Sequence, residues 1–66
     1  MQLSVNGVEQ EVPEGTTVAA LLDALRVGRE GVAVAVNRTV VPRPAHTGHR
    51  LAPADRVEII HAVGGG

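Results

Sequence analysis

With no aromatic residue and no cysteine among its 66, this chain can close a core only around Val, Leu, Ile and Ala. A body of that length makes one domain, near the lower limit for folding without disulfides or metals. The same two absences narrow function. Without cysteine there is no thiol nucleophile and no thiolate metal site. Without Phe, Trp or Tyr there is no stacking platform for single-stranded nucleic acid. A formal net charge of -1 points to neither nucleic acid nor an anionic membrane as partner. The charge is uneven: residues 1–31 hold five acids against Arg26 and Arg29, whereas Arg38, Arg43, Arg50 and Arg56 face Asp55 and Glu58 in the rest. No apolar run approaches a membrane span and no signal peptide is visible, so a cytoplasmic protein is expected.

The aliphatic faces appear in order along the chain. Met1-Gln2-Leu3-Ser4-Val5 alternates, which predicts a half-buried strand with Met1, Leu3 and Val5 inward. Asn6-Gly7 is a strong hairpin signal, because both residues tolerate positive φ. Val8 to Val12 should run back, with Glu9 and Glu11 toward solvent and Val8 and Val12 opposite. Pro13-Glu14-Gly15 breaks the strand. Thr16 or Thr17 caps a helix in which Val18, Leu21, Leu22 and Leu25 share one face. That helix should stop near Arg26 or Val27, with Gly28 supplying the left-handed terminal position and Arg29-Glu30-Gly31 a short loop.

Val32-Ala33-Val34-Ala35-Val36 is apolar throughout, as a central strand covered on both faces would be. Asn37-Arg38 is a turn, and Thr39-Val40-Val41 a short strand ended by Pro42. Pro42, Pro44, Gly48 and Pro53 exclude a long element from residues 42–56, where Leu51 is the expected anchor to the core. Ala54-Asp55-Arg56 turns the chain into a last strand, Val57 to Val63. One amphipathic helix over one mixed sheet buries Leu21, Leu22 and Leu25 against the inward valines. The long connection lets the last strand lie parallel to the first. The class is therefore α+β: a β-grasp with four to five strands and one main helix on one face.

The last strand leads into Gly64-Gly65-Gly66, so residues 1–63 read as the domain and 64–66 as a flexible tail. A backbone without Cβ atoms can thread a channel closed to other residues, and three extended residues reach about 10 Å. At its end stands the α-carboxylate of Gly66.

Taken together, these residues resemble the ThiS family of sulfur carriers for thiamine biosynthesis, within the ubiquitin-like β-grasp group. The resemblance covers essentially the whole chain. It rests on Asn6-Gly7, Gly15-Thr16-Thr17-Val18 before Leu21-Leu22, Val34-Ala35-Val36-Asn37 with Val40-Val41-Pro42-Arg43, Asp55-Arg56-Val57-Glu58-Ile59, and the terminal Gly65-Gly66. Ala54-Asp55 departs from the Gly-Asp usual in relatives at that turn. The resemblance implies a carrier that is not itself an enzyme. An E1-like enzyme would adenylate Gly66 using ATP, normally with Mg²⁺, and a sulfur donor system would convert the adenylate to a thiocarboxylate. Thiazole synthase, or another sulfur acceptor, would then take the sulfur. Gly64 and Gly65 would thread the partner's active site. No cofactor is expected on the chain itself, which carries neither a phosphate-cradling loop nor a metal cluster.

Other readings stay open at this level. The acceptor could belong to molybdopterin, cysteine or other sulfur metabolism. The chain could instead be a ubiquitin-like protein modifier, or a binding module with an inert tail. Ala33 and Ala35 either leave a flat apolar surface for a partner or sit under the helix. Ile60 and His61 lie beside them as candidate docking residues, His61 being equally an ordinary strand residue. His46 and His49 lack a neighbouring carboxylate or cysteine, so no metal site is expected there.

Overall fold

The computed structural model describes residues 1–28 and 31–61. Its elements run β1 (Gln2–Val5), β2 (Val8–Glu11), α1 (Val18–Ala24), β3 (Val32–Val36), β4 (Thr39–Val41) and β5 (Arg56–His61), with a single 3₁₀ turn at Arg43–Ala45. The five strands form one mixed sheet in the order β2-β1-β5-β3-β4. Among the described residues β1 and β5 pair in parallel and the other neighbours are antiparallel. This is the β-grasp, with α1 packed on one face.

The first hairpin closes on Asn6 (φ 50°) and Gly7 (φ 83°), two consecutive left-handed residues that match the right-handed twist of the flanking strands. Its register sets Leu3 opposite Gln10 and Val5 opposite Val8. Leu3, Val5 and Val12 are buried, but Val8 is 59 % exposed. Val8 lies on the helix side of an edge strand that the short helix does not cover, so the expected orientation holds without the burial.

Thr17, not Thr16, caps α1: its hydroxyl oxygen accepts from the Ala20 N–H at 3.1 Å. The Thr16 hydroxyl donates instead to the Pro13 carbonyl at 2.6 Å, tying down the preceding turn. Two further N–H groups at this helix start, those of Val18 and Ala19, donate to the carbonyls of His49 and His46. The irregular segment thus satisfies the start of the helix. The helix ends earlier than the periodicity suggests, at Ala24 with Leu25 as cap, and Arg26 (φ 59°) takes the left-handed position expected of Gly28. Arg26 N–H bonds to the Asp23 carbonyl and Val27 N–H to the Leu22 carbonyl, the paired bonds of a Schellman motif. Val27 folds back on the core beside Leu25, and that apolar contact favours stopping one turn early. Arg29 and Glu30, two of the three residues of the expected loop, lie outside the described residues.

Val18, Leu21 and Leu22 from the helix meet Leu3, Val5, Val34, Val36, Val41, Leu51, Val57 and Ile59. Each such side chain, fully buried, contributes about 1.5–3 kcal/mol. The centre of the sheet is β5, not β3. Only one face of β3 is covered, and Ala33 on the other is exposed. Leu51 anchors residues 42–56 as expected, but it shares that task with His46, which is 1 % exposed. The His46 ring Nε2 lies 3.0 Å from the Val41 carbonyl, which can only accept, so Nε2 bears the proton. Its Nδ1 is buried without a hydrogen-bond partner among the described residues.

The turn into β5 runs Ala52–Asp55, with Asp55 N–H to the Ala52 carbonyl at 3.2 Å. Ala54 adopts φ 68° there, so the positive-φ turn is kept even though alanine replaces the glycine that suits it. The Asp55 carboxylate braces this turn by accepting from Ala52 N–H at 2.8 Å and from the Asn37 amide at 2.9 Å.

Candidate functional site

Strand alternation divides the sheet into two chemically different faces. Opposed residues in an antiparallel pair point the same way. Ala33 stands opposite Ile60, and Ala35 lies between Glu58 on β5 and Val40 on β4. Val34, Val36, Val57 and Ile59 point to the helix, so Ala33, Ala35, Val40 and Ile60 share the open face. Val40 is 67 % exposed and Ile60 59 %, the largest apolar side chains left in water on that face. Ala35 is 8 % exposed, its methyl recessed between taller neighbours. The structure places Ala33 and Ala35 on the face away from the helix, not under it.

The expected docking set does not stay together. His61 is paired with Val32, which packs against the core, and so lies on the helix side of the sheet. Consecutive strand residues cannot share a face, so Ile60 and His61 diverge. Val40 joins the open-face cluster without having been singled out. The alternation of Thr39-Val40-Val41 around an inward Val41 was the signal that could have found it.

Beside this apolar cluster the open face turns polar. Gln2, Ser4, Glu9, Arg38, Arg56 and Glu58 line an open groove of about 600 Å³ near the start of β5. The end of β5 that leads toward the glycines therefore carries the apolar part, and its beginning the charged part. Gly64, Gly65 and Gly66 lie outside the described residues, as do Ala62 and Val63.

Among the described residues no group of three or more His, Cys, Asp or Glu side chains converges to hold a metal. His46 is committed to the core, whereas His49 is half-buried in the segment whose carbonyls cap α1. No helix among the described residues is long and apolar enough to cross a membrane.

What β5 must hold steady is its own register, and two asparagines from opposite turns do this. Asn37 (φ 52°) donates its backbone N–H to the Arg56 carbonyl at 2.8 Å, and its side-chain oxygen accepts from Arg56 N–H at 3.0 Å. Asn6 reaches β5 from the other side, its side-chain oxygen accepting from Ile59 N–H at 2.9 Å. Nothing in the local sequence announces either contact, since both residues already serve as turn formers.

Comparison with known proteins bears on a site of this shape. The ThiS family model matches residues 2–66. The chain is 30 % identical over 66 residues to the sulfur carrier protein ThiS of Escherichia coli, with both chains covered completely. It is 36 % identical over 66 residues to a thiazole synthase of Magnetococcus marinus, of whose length it spans only 20 %. Among solved structures, the crystal structure of the thiamine biosynthesis protein ThiS from Geobacter metallireducens superposes with a TM-score of 0.86 at 38 % identity, each chain fully covered. A solution structure of a thiamine biosynthesis protein from the same organism gives a TM-score of 0.81 at 38 % identity, covering all of this chain and 88 % of that one. Match, fold and relatives agree over the full length, and the chain belongs to the ThiS family.

Proposed function

We propose that this chain, a sulfur carrier of thiamine biosynthesis by its family, works through the carboxylate of Gly66. A carboxylate resists attack because it is an anion without a good leaving group. An E1-like enzyme with ATP and Mg²⁺ would let a Gly66 oxygen attack the α-phosphorus, releasing pyrophosphate and forming an acyl adenylate. Sulfur delivered by the donor system at the sulfide level, as hydrosulfide, would then attack the carbonyl carbon and expel AMP, leaving a thiocarboxylate. The carrier supplies a reachable carboxylate and a docking surface, and the partner supplies the phosphate and metal chemistry. ATP-dependent loading of this kind suits a cytoplasmic setting.

The observation that carries this reading is the family match over residues 2–66, which takes in the terminal glycines. Thiazole synthase is the acceptor we favour, because a protein of that name contains a segment 36 % identical to this whole chain. The open-face cluster of Ala33, Ala35, Val40 and Ile60 is the proposed docking surface for the activating enzyme and the acceptor. Gly64 and Gly65 would thread the active sites.

Intact-mass analysis tests the reading. Incubation with ATP, a sulfur source and the cognate activating enzyme should exchange one C-terminal oxygen for sulfur, a gain of about 16 Da from the atomic masses. Deleting Gly66 should abolish that gain. A deletion variant that still supports thiazole formation would overturn the proposal.

A further inference from the structure

We infer that Asn6 is a positioning residue for the reaction at the C-terminus, its side-chain amide holding the outgoing half of β5 in line. The inference rests on the carrier reading above, since it assigns Asn6 a part in delivering the Gly66 carboxylate.

The parallel pairing of β1 with β5 is brief. It covers Ser4 with Arg56 and Val5 with Val57, and the Asn6 N–H adds one bond to the Val57 carbonyl at 2.9 Å. Then the chain leaves at Asn6-Gly7 to form β2. In a strand the backbone groups of every second residue point to the same neighbour, so Ile59 presents its N–H and carbonyl to the side where β1 has just ended. The Asn6 amide stands there instead. Its oxygen accepts from Ile59 N–H at 2.9 Å and its nitrogen donates to the Ile59 carbonyl at 3.4 Å. A primary amide offers the same donor and acceptor as a peptide group, so the side chain extends the ladder by one rung after the backbone has turned away.

Position makes that rung matter for delivery. On its other side β5 pairs with β3 through Val32–His61, Ala33–Ile60 and Val34–Ile59. Without the Asn6 rung, the half of β5 beyond Val57 would be held from one side only, at the end from which the tail departs. A docked carrier whose last strand swings places its carboxylate in reach of the α-phosphorus less often. Small errors in placing reacting groups carry a large kinetic penalty, so the loss should fall on turnover. Docking through Ala33, Ala35 and Val40, which stand on β3 and β4, would be untouched.

Asn6→Gly separates this role from the turn, because glycine keeps the positive φ and removes only the amide. Asn6→Asp retains the acceptor for Ile59 N–H and loses the donor. Adenylation by the cognate activating enzyme should be followed well below the unfolding temperature, beside a Val34→Ala control. We expect Asn6→Gly to lower kcat about tenfold with KM unchanged within twofold, Asn6→Asp to fall between it and wild type, and Val34→Ala to leave kcat alone. Native-state hydrogen exchange should show the Ile59 amide deprotected by more than tenfold in Asn6→Gly, while the Ile60 amide, facing β3, keeps its protection. Unchanged kcat in Asn6→Gly, or a kcat loss shared by the Val34→Ala control, overturns the positioning role. Unchanged exchange at Ile59 overturns the rung itself. Failure of wild-type protein to accept AMP while the exchange result holds would indict the carrier reading and not the rung.

Discussion

The two faces of the sheet are built from the same aliphatic alphabet and differ in their exposure to water. Toward the helix stand Leu3, Val5, Val34, Val36, Val57 and Ile59, all buried against Leu21 and Leu22. Toward solvent, the apolar residues of the same strands are Ala33, Ala35, Val40 and Ile60, small or exposed. The difference lies in what covers them. Among the described residues one helix of seven residues covers one face, and the other stays open. On the proposed reading, stability and recognition fall to opposite sides of one layer, and each should be open to disturbance without the other.

Leu22→Ala should break the helix face outright. Leu22 is fully buried, so the substitution should cost about 2–5 kcal/mol, enough to unfold much of a domain this small. Denaturant titration would show it as a lower midpoint with an unchanged slope. Ile60→Asp places a comparable insult on the open face and should leave that midpoint within about 0.5 kcal/mol of wild type. The same variant should weaken binding to the activating enzyme or to thiazole synthase by about tenfold or more, since an unpaired carboxylate would be buried against the partner. Calorimetric titration of both variants sharpens the contrast. A large stability loss from Ile60→Asp would show that the faces are not independent, and undiminished binding would remove Ile60 from the proposed docking surface.

The smallest effects sit at the turns that join the faces. Asn6-Gly7 and Asn37-Arg38 are both left-handed pairs, but Gly7 takes its φ of 83° freely whereas Arg38 holds 69° with a full side chain. Arg38→Gly should therefore stabilise the fold by about 0.5–1 kcal/mol, and Ala54→Gly by a similar amount. Thermal unfolding would register each as a rise of a few degrees. Because Arg38 also lines the polar groove of the open face, its replacement asks whether the groove contributes to docking.

Much of the fold was legible because its signals are local. Alternation in residues 1–5, the Asn6-Gly7 turn, the i, i+3, i+4 spacing of Val18, Leu21 and Leu22, and the β-branched run of β5 each report a preference of neighbouring residues. His46 gave no such signal. It is buried because the 3₁₀ turn carries its ring under Val41, and a proline-flanked histidine reads as loop in any window. The end of α1 was misplaced for the same reason. Arg26 accepts a left-handed conformation because Val27 gains a place on the core, and glycine preference in the sequence pointed two residues downstream.

What the sequence determined by itself was the set of elements and their aliphatic faces, since periodicity and turn residues are carried by adjacent residues. Only the tertiary structure decided that β5 lies at the centre and that His61 parts from Ile60. It also decided that Asn6 and Asn37 reach across the sheet to grip the strand bound for the tail. Those outcomes depend on which strands become neighbours, and neighbours 53 residues apart meet only when the whole core closes.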